Sequence, residues 1–361
     1  MAGGHPLLRL VAGLALCTGM AACNLDGPGG GALKPLPEDA AFLFVSNAGV
    51  GGNRREIFAA DATGSNVTRI TRSSFHHHII GISRDRRYII ATRSTVDVNG
   101  DGKLDDDDSE KKSIWLLDFK NLTETRLTSE NDLAEGQSIC PAGERIVFWM
   151  LRDGEQQSDI YTMRIDGTDL VNLTNTPGPA HNAYDPVWSS DGGRIAFSRF
   201  HSDTARVTLN VMNSDGSDEQ MIFDPEDAVA TQLFPAGAYD PAWSPDDRQI
   251  TFVMAVGFTA PGENLQAGVW NVFTIPSDGT GTPSNLSEAG NHSNRAEYLP
   301  SFSPDGGSIL YSSRYHDPGD PENAHIDIFV MDSGTGRITS RITSTGLASH
   351  DMFAVWLPPE L

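Results

Sequence analysis

Residues 97–108 read DVNGDGKLDDDD, and their spacing is that of a loop that wraps a hard cation. Asp97, Asn99 and Asp101 stand at positions one, three and five. Gly102 follows at six, where such a loop must turn sharply, and Lys103 offers its carbonyl at seven. Asp105 and Asp108 fall at nine and twelve, so oxygen ligands for Ca²⁺ lie within one short stretch of chain. The departure is at twelve, where Asp is shorter than the Glu that normally ligates through both oxygens. The run joins two strand-like stretches, IIATRS and SIWLLD, without flanking helices. The expectation is therefore a structural Ca²⁺ that staples a hairpin and screens carboxylates which would otherwise repel one another.

A second group of residues recurs at fixed distances from equivalent apolar positions. His181 lies seven residues before Trp188, His76 six before Ile82 and His350 six before Trp356. His78, Tyr184, Tyr239 and Tyr298 each lie four before their markers. Imidazoles and phenols gathered at the mouth of a channel can ligate a transition metal or hydrogen-bond a sugar. Other catalytic signatures are missing from the sequence: no G-x-S-x-G elbow, no P-loop and no His-Glu-x-x-His.

The elements that must carry these residues follow from a repeat. One unit reads aromatic-Ser-x-Asp-Gly, a β-branched run, a second apolar run ending in Asp-x-x-Gly, then Leu-Thr or Ile-Thr. Its first half is clearest as DPVWSSDGGRIAFSRF from Asp185, DPAWSPDDRQITFVMA from Asp240 and LPSFSPDGGSILYSSRY from Leu299, with weaker copies from Ile79 and Gln137. Its second half occurs six times, beginning at Glu56, Ser113, Asp159, Leu209, Asn271 and Asp327. Short runs bounded by Pro-Asp-Gly and Asp-Gly are strands and turns: Pro presets the first torsion, Asp closes the turn and Gly takes positive φ. Four strands per unit, repeated six times, define an all-β, six-bladed β-propeller. AFLFVSN at Ala41 lacks the strand that should precede it, and HDMFAVWLPPEL from His350 supplies it. The C-terminal strand is expected to complete the first blade and leave no open edge. The Asp of these turns recurs with a nearby Gly, as Asp61-x-x-Gly64, Asp166-Gly167, Asp215-Gly216 and Asp278-Gly279, which marks it as turn chemistry.

The chain of 361 residues has a formal charge of −22. Hydrophobic residues make up 39%, enough for a core over most of its length. Such acidity repels phosphate backbones, which argues against nucleic acid as a partner.

Trp188-Ser189, Trp243-Ser244-Pro245-Asp246, Ser303-Pro304-Asp305-Gly306 and the endings Leu127-Thr128 and Leu173-Thr174 resemble the WD40-like repeats of TolB-type propellers. The resemblance covers residues 41–358. It implies a six-bladed propeller of the kind that acts in cell-envelope complexes, although the second, α/β domain of TolB has no counterpart ahead of the first repeat. It also admits a carbohydrate-active enzyme, since some sugar-acid lyases on similar propellers hold a metal with channel histidines.

Residues 1–22 read as an export signal: Arg9, an apolar stretch from Leu7 to Leu16 and then small residues. Met20-Ala21-Ala22-Cys23 resembles the bacterial lipobox, which makes Cys23 the lipidated first residue of the mature chain. Asn24 in place of Asp points to the outer membrane, facing either the periplasm or the cell surface. Residues 23–40 are Gly- and Pro-rich and read as anchor and flexible linker. Cys140 is then the one remaining thiol, which leaves no disulfide framework. The expectation from sequence is a lipid-anchored, calcium-stapled propeller that binds an envelope protein or glycan and meets the membrane only through its lipid. The alternative is a polysaccharide lyase or hydrolase working at the channel mouth.

Overall fold

A computed structural model describes residues 33–50, 54–94, 96, 100, 111–175, 182–226, 228, 230, 235–257, 269–292, 295–317, 320–343 and 350–359. Among them the first sheet holds β1 (Phe42–Ser46), β2 (Glu56–Ala60) and β3 (Thr68–Arg69); the second, β4 (His76–Ile82), β5 (Tyr88–Ser94), β6 (Lys112–Asp118) and β7 (Thr123–Arg126). The third holds β8 (Leu133–Ile139), β9 (Arg145–Leu151), β10 (Asp159–Arg164) and β11 (Val171–Asn172). The fourth holds β12 (Ala183–Trp188), β13 (Arg194–His201), β14 (Arg206–Asn213) and β15 (Gln220–Phe223). The fifth is β16 (Ala236–Trp243), β17 (Gln249–Gly257), β18 (Val269–Pro276) and β19 (Ser284–Asn285), followed by the short helix α1 (Leu286–Ala289). The sixth is β20 (Ala296–Phe302), β21 (Ser308–Asp317), β22 (Asp320–Asp332) and β23 (Ile338–Arg341). The last strand, β24 (Asp351–Trp356), pairs antiparallel with β1, Phe42 opposite Trp356. Short parallel pairings, Val207 with Gly237 and Trp270 with Ala296, join the last three groups of strands into one continuous twelve-stranded sheet, whose three parts are called the fourth, fifth and sixth sheets.

The repeat explains itself as hydrogen bonding. In the Ser-x-Asp-Gly turn, Ser189 Oγ donates to Asp191 Oδ1 at 2.6 Å and accepts the Arg194 N–H at 2.9 Å. Ser244 and Ser303 do the same in the fifth and sixth sheets. In the third sheet Cys140 takes the serine position, and its sulfur accepts the Arg145 N–H at 3.2 Å. The terminal Thr accepts a strand N–H as Thr71 from Ile57, Thr128 from Ile114, Thr174 from Ile160 and Thr343 from Ile328. Ser287, inside α1, does this for Val272. Each turn thereby satisfies groups that would be left bare at a strand end. The aspartates of the Asp-Gly turns accept bonds from their own turns, for example Asp166 from the Thr168 N–H and hydroxyl.

Hydrophobic clusters lie between consecutive sheets. Leu43 and Ile57 of the first pack with Ile80 and Ile89 of the second, and Ile90 and Ile114 of the second with Ile146 and Phe148 of the third. Trp149 meets Phe197 across the third and fourth sheets, Leu209 meets Phe252 across the fourth and fifth, and Val272 meets Tyr311 across the fifth and sixth. Phe42 and Phe44 of the first sheet pack against Leu310 and Ile328 of the sixth. Full burial of such side chains contributes about 1.5–3 kcal/mol each. Docking reaches beyond the sheets: Leu33 is buried, Leu36 packs against the cluster between the first two sheets, and the Lys34 N–H donates to Ile70 O. Residues 33–40, read from sequence as part of a flexible linker, include this docked segment.

Candidate functional site at the start of the inner strands

Each sheet begins with a strand interrupted by a bulge at the same place: between His77 and Ile80, Glu135 and Ser138, Tyr184 and Val187, Tyr239 and Ala242, and Tyr298 and Ser301. β24 shifts register against β1 in the same way. A bulge re-aims a side chain out of the pleat. Asp185, Asp240, Leu299 and Phe353 occupy the bulges with φ between 51° and 56°. Positive φ is costly for Leu and Phe and mild for Asp.

The structure brings some of the expected site residues together and separates others. Tyr184 and Tyr239 line one cavity of 390 Å³ together with Glu135, Trp149, Asp185 and Phe200. Tyr184 meets Trp149 edge to face, centroids 5.4 Å apart. Tyr298 stands one ring further on, behind Trp270, which contacts both Tyr239 and Tyr298. His76 and His78 form a separate pair, rings 4.7 Å apart, and both are buried in β4, not on a loop leading into it. His76 Nδ1 accepts the Arg55 N–H at 3.3 Å, and His78 Nε2 lies 2.8 Å from Ser94 Oγ. Burial pushes the His78 imidazole well below its ordinary value, and the charges of Lys112, His76 and Arg55 push the same way. A metal cation would meet that same repulsion. His350 is tied to Asn47, whose side-chain oxygen accepts its N–H at 2.7 Å. His181, Cys23 and the calcium ligands Asp97, Asn99, Asp101, Lys103, Asp105 and Asp108 lie outside the described residues. Among the described residues no group of three or more acidic, His or Cys side chains is arranged to hold a metal ion.

Three acidic residues that the sequence reading passed over complete the site. Glu135 pairs with Lys112 from the second sheet. The Asp185 carboxylate accepts the Asp240 N–H, and the Asp240 carboxylate accepts the Leu299 N–H at 3.1 Å. At Asp240 and at Leu299, the bulge residue thus hands its amide to the acid in the preceding unit's bulge. Burial raises the Asp185 carboxyl well above its ordinary value, and the neighbouring charges of Asp240 and Glu135 raise it further. Burial likewise raises Asp240, to about 6, the Leu299 amide opposing and Glu135 reinforcing. Both side chains retain partial solvent access. The same field reaches the phenols: burial, then the Asp185 charge, raises Tyr239, and burial takes Tyr298 to about 12. The signal in the sequence was Ala-Tyr-Asp-Pro at 183–186 and again at 238–241, where Asp gives way to Leu299 and Phe353 in sister repeats and so is not needed for the turn.

Another constellation looks catalytic and is not. His292 Nδ1 lies 2.7 Å from Glu297 Oε1, and Ser287 Oγ contacts the other Glu297 oxygen. The serine is bound to the carboxylate and not to the imidazole, and all three are buried. A nucleophile needs the reverse order and an open face.

At the opposite end of the inner strands a second cavity, of 410 Å³, is lined by Ile82, Ile139, Ser190, Trp243, Phe302 and Trp356, one from each sheet or the turn that follows it.

The chain has a TolB-like β-propeller fold. TolB from Acinetobacter baumannii superposes with a TM-score of 0.60 at 16% identity, over 89% of this chain and 68% of that one. A chain of the nidogen/laminin complex superposes with a TM-score of 0.59 at 11% identity, over 88% and 98%. In sequence, an uncharacterized protein of Agrobacterium fabrum is 27% identical over 146 residues, 39% of this chain and 46% of that protein. The uncharacterized peptidase YuxL of Bacillus subtilis is 24% identical over 224 residues, 53% and 31%. The chain therefore spans less than half the length of these two relatives. No protein-family model matches it. Among the described residues no helix is long and apolar enough to cross a membrane.

Proposed function

We propose that this protein is a lipid-anchored, cell-envelope β-propeller of six blades that binds a protein or glycan partner at the mouth of its channel. Three observations support the six-bladed ring: the pairing of β24 with β1, the packing of the sixth sheet on the first, and a cavity lined from every sheet. The observation that carries the binding role is the cavity of 390 Å³, with aromatic walls and carboxylates set by backbone bulges. Rigid walls with a few placed polar groups suit recognition, because little ordering entropy is lost when a ligand docks. Lipidation at Cys23 and outer-membrane location rest on the lipobox-like run.

The test is retention of an envelope component by immobilised mature chain from Cys23 onward, compared with Trp149→Ala. The expected result is a component held by wild type and lost by the variant. A component held equally by both would move the site elsewhere, and none at all would overturn the binding role. Metabolic labelling with palmitate should mark wild type and not Cys23→Ala.

One observation favours the second reading, a carbohydrate-active enzyme. Two neighbouring carboxyls with raised proton affinity, Asp185 and Asp240, are the combination that acid–base cleavage of sugar chains employs. Turnover of an acidic oligosaccharide that disappears in Asp185→Asn would establish it.

A further inference from the structure

The cavity beside Tyr184 joins two features of independent origin. One is an aromatic enclosure: Trp149, Tyr184, Phe200 and Tyr239 come from three different sheets and surround 390 Å³. The other is a pair of neighbouring carboxylates without a counter-charge, Asp185 in the cavity wall and Asp240 beside it. Glu135 has Lys112 as its partner; among the described residues neither Asp185 nor Asp240 is paired with a Lys, Arg or His, and each receives one backbone N–H. Both acids sit at φ 53° in a bulge, so the backbone itself holds the carboxyl groups in place. A like-charged pair partly withdrawn from water is unfavourable until a cation neutralises it. Aromatic faces attract cations too, through the negative face of the ring. A bare divalent ion fits poorly, because apolar walls cannot replace its six to eight oxygens.

Resting on the binding role above, we propose that this cavity takes an organic ammonium group: a primary amine on an apolar stem, its nitrogen at Asp185, which lines the cavity with Asp240 beside it, and its stem along Trp149 and Phe200. A lysine side chain offered by a partner and a free alkylamine share that chemistry.

Calorimetry on the full mature chain near neutral pH and low salt tests it, with cadaverine, N-acetyl-lysine methylamide and hexanol as probes. The amines are expected to bind and hexanol to give no heat. Asp185→Asn should weaken amine binding about tenfold or more, the scale of one lost charge-assisted contact, and Asp240→Asn should weaken it by a smaller factor, through loss of the neighbouring charge. Asn tolerates positive φ and keeps an acceptor for the amide, so these variants should fold, and unchanged far-UV spectra and cooperative melting check that. Trp149→Ala should weaken both amines as well. Tighter binding of the lysine derivative assigns the group to a partner protein, and tighter binding of cadaverine assigns it to a free amine. Absence of amine binding, equal heat from hexanol, or folded Asn variants that bind like wild type would each overturn the proposal. If Asp185→Asn still retained an envelope component lost by Trp149→Ala, the ammonium assignment would fall while the binding role stood.

Discussion

Replacing Asp240 by Asn should stabilise the protein at neutral pH. The Asp240 carboxyl is raised from an ordinary 3.8 to about 6, by burial first and by the Glu135 charge, against the pull of the Leu299 amide. A carboxyl whose value is higher folded than unfolded binds its proton more tightly in the native state. Its favourable contribution is complete below about pH 4 and is lost as pH rises through about 6. Above that the native state carries an ionised, enclosed group that the unfolded chain leaves in water. A difference of about two units corresponds to about 3 kcal/mol at about 1.4 kcal/mol per unit. Partial solvent access makes this an upper bound, so about 1.5–3 kcal/mol is expected. Asparagine is uncharged, nearly isosteric, accepts the Leu299 N–H and suits φ 53°. The gain of Asp240→Asn over wild type should be near zero around pH 4 and reach its full size above pH 6. The rise should be broadened because Asp185 and Asp240 titrate as a pair. Urea unfolding of both proteins across that range, with m-values compared, measures it. A variant no more stable than wild type at neutral pH would refute the reasoning, since it would mean that the carboxylate is well solvated or already neutralised. A site that destabilises its own fold when empty is also one that a bound cation would stabilise.

Three further outcomes follow from the fold and the sequence. Removing residues 350–361 takes away the partner of β1, leaves Phe42 and Phe44 with an exposed edge, and should yield aggregation and loss of a single melting transition; a monomer with wild-type melting would contradict the pairing. Gly336→Ala would put a methyl 1.9 Å from Leu286 O at φ 70° and should cost more than about 3 kcal/mol, whereas at Gly306, φ 76° with its nearest neighbour 3.5 Å away, alanine should cost about 1–2 kcal/mol, both read by urea midpoints. Calorimetry with Ca²⁺ should show one binding event that Asp101→Ala removes, with a matching rise in melting temperature for wild type; absence of heat in wild type would refute the loop assignment.

The repeat was legible because its bonds are local. Ser189 finds Asp191 two residues on and the Arg194 amide five residues on. Thr174 reaches the Ile160 amide fourteen residues back across adjacent strands. Strand order, turn chemistry and the role of the Leu-Thr endings could therefore be read from spacing. Even Cys140 fits, standing where serine stands elsewhere. The histidines misled for the opposite reason. Spacing gathers His76 and His78 with other site residues at a channel mouth, but they are buried in a strand beside Arg55 and Lys112, cations that come from other segments of the chain.

Spacing alone determined that this chain is a string of like sheet units, how each closes its turns, and which segment completes the first. Only the tertiary structure decided which acids and aromatic rings meet around the cavity beside Tyr184. Glu135, Asp185 and Asp240 come from three sheets, roughly fifty residues apart in sequence, and acquire their neighbours and raised proton affinities from bulges and from the stacking of sheet on sheet. A residue's hydrogen bonds within a turn depend on a few positions around it. Its electrostatic environment depends on every charge and every excluded water within about a Debye length, roughly 8–10 Å, and those are set by packing between units.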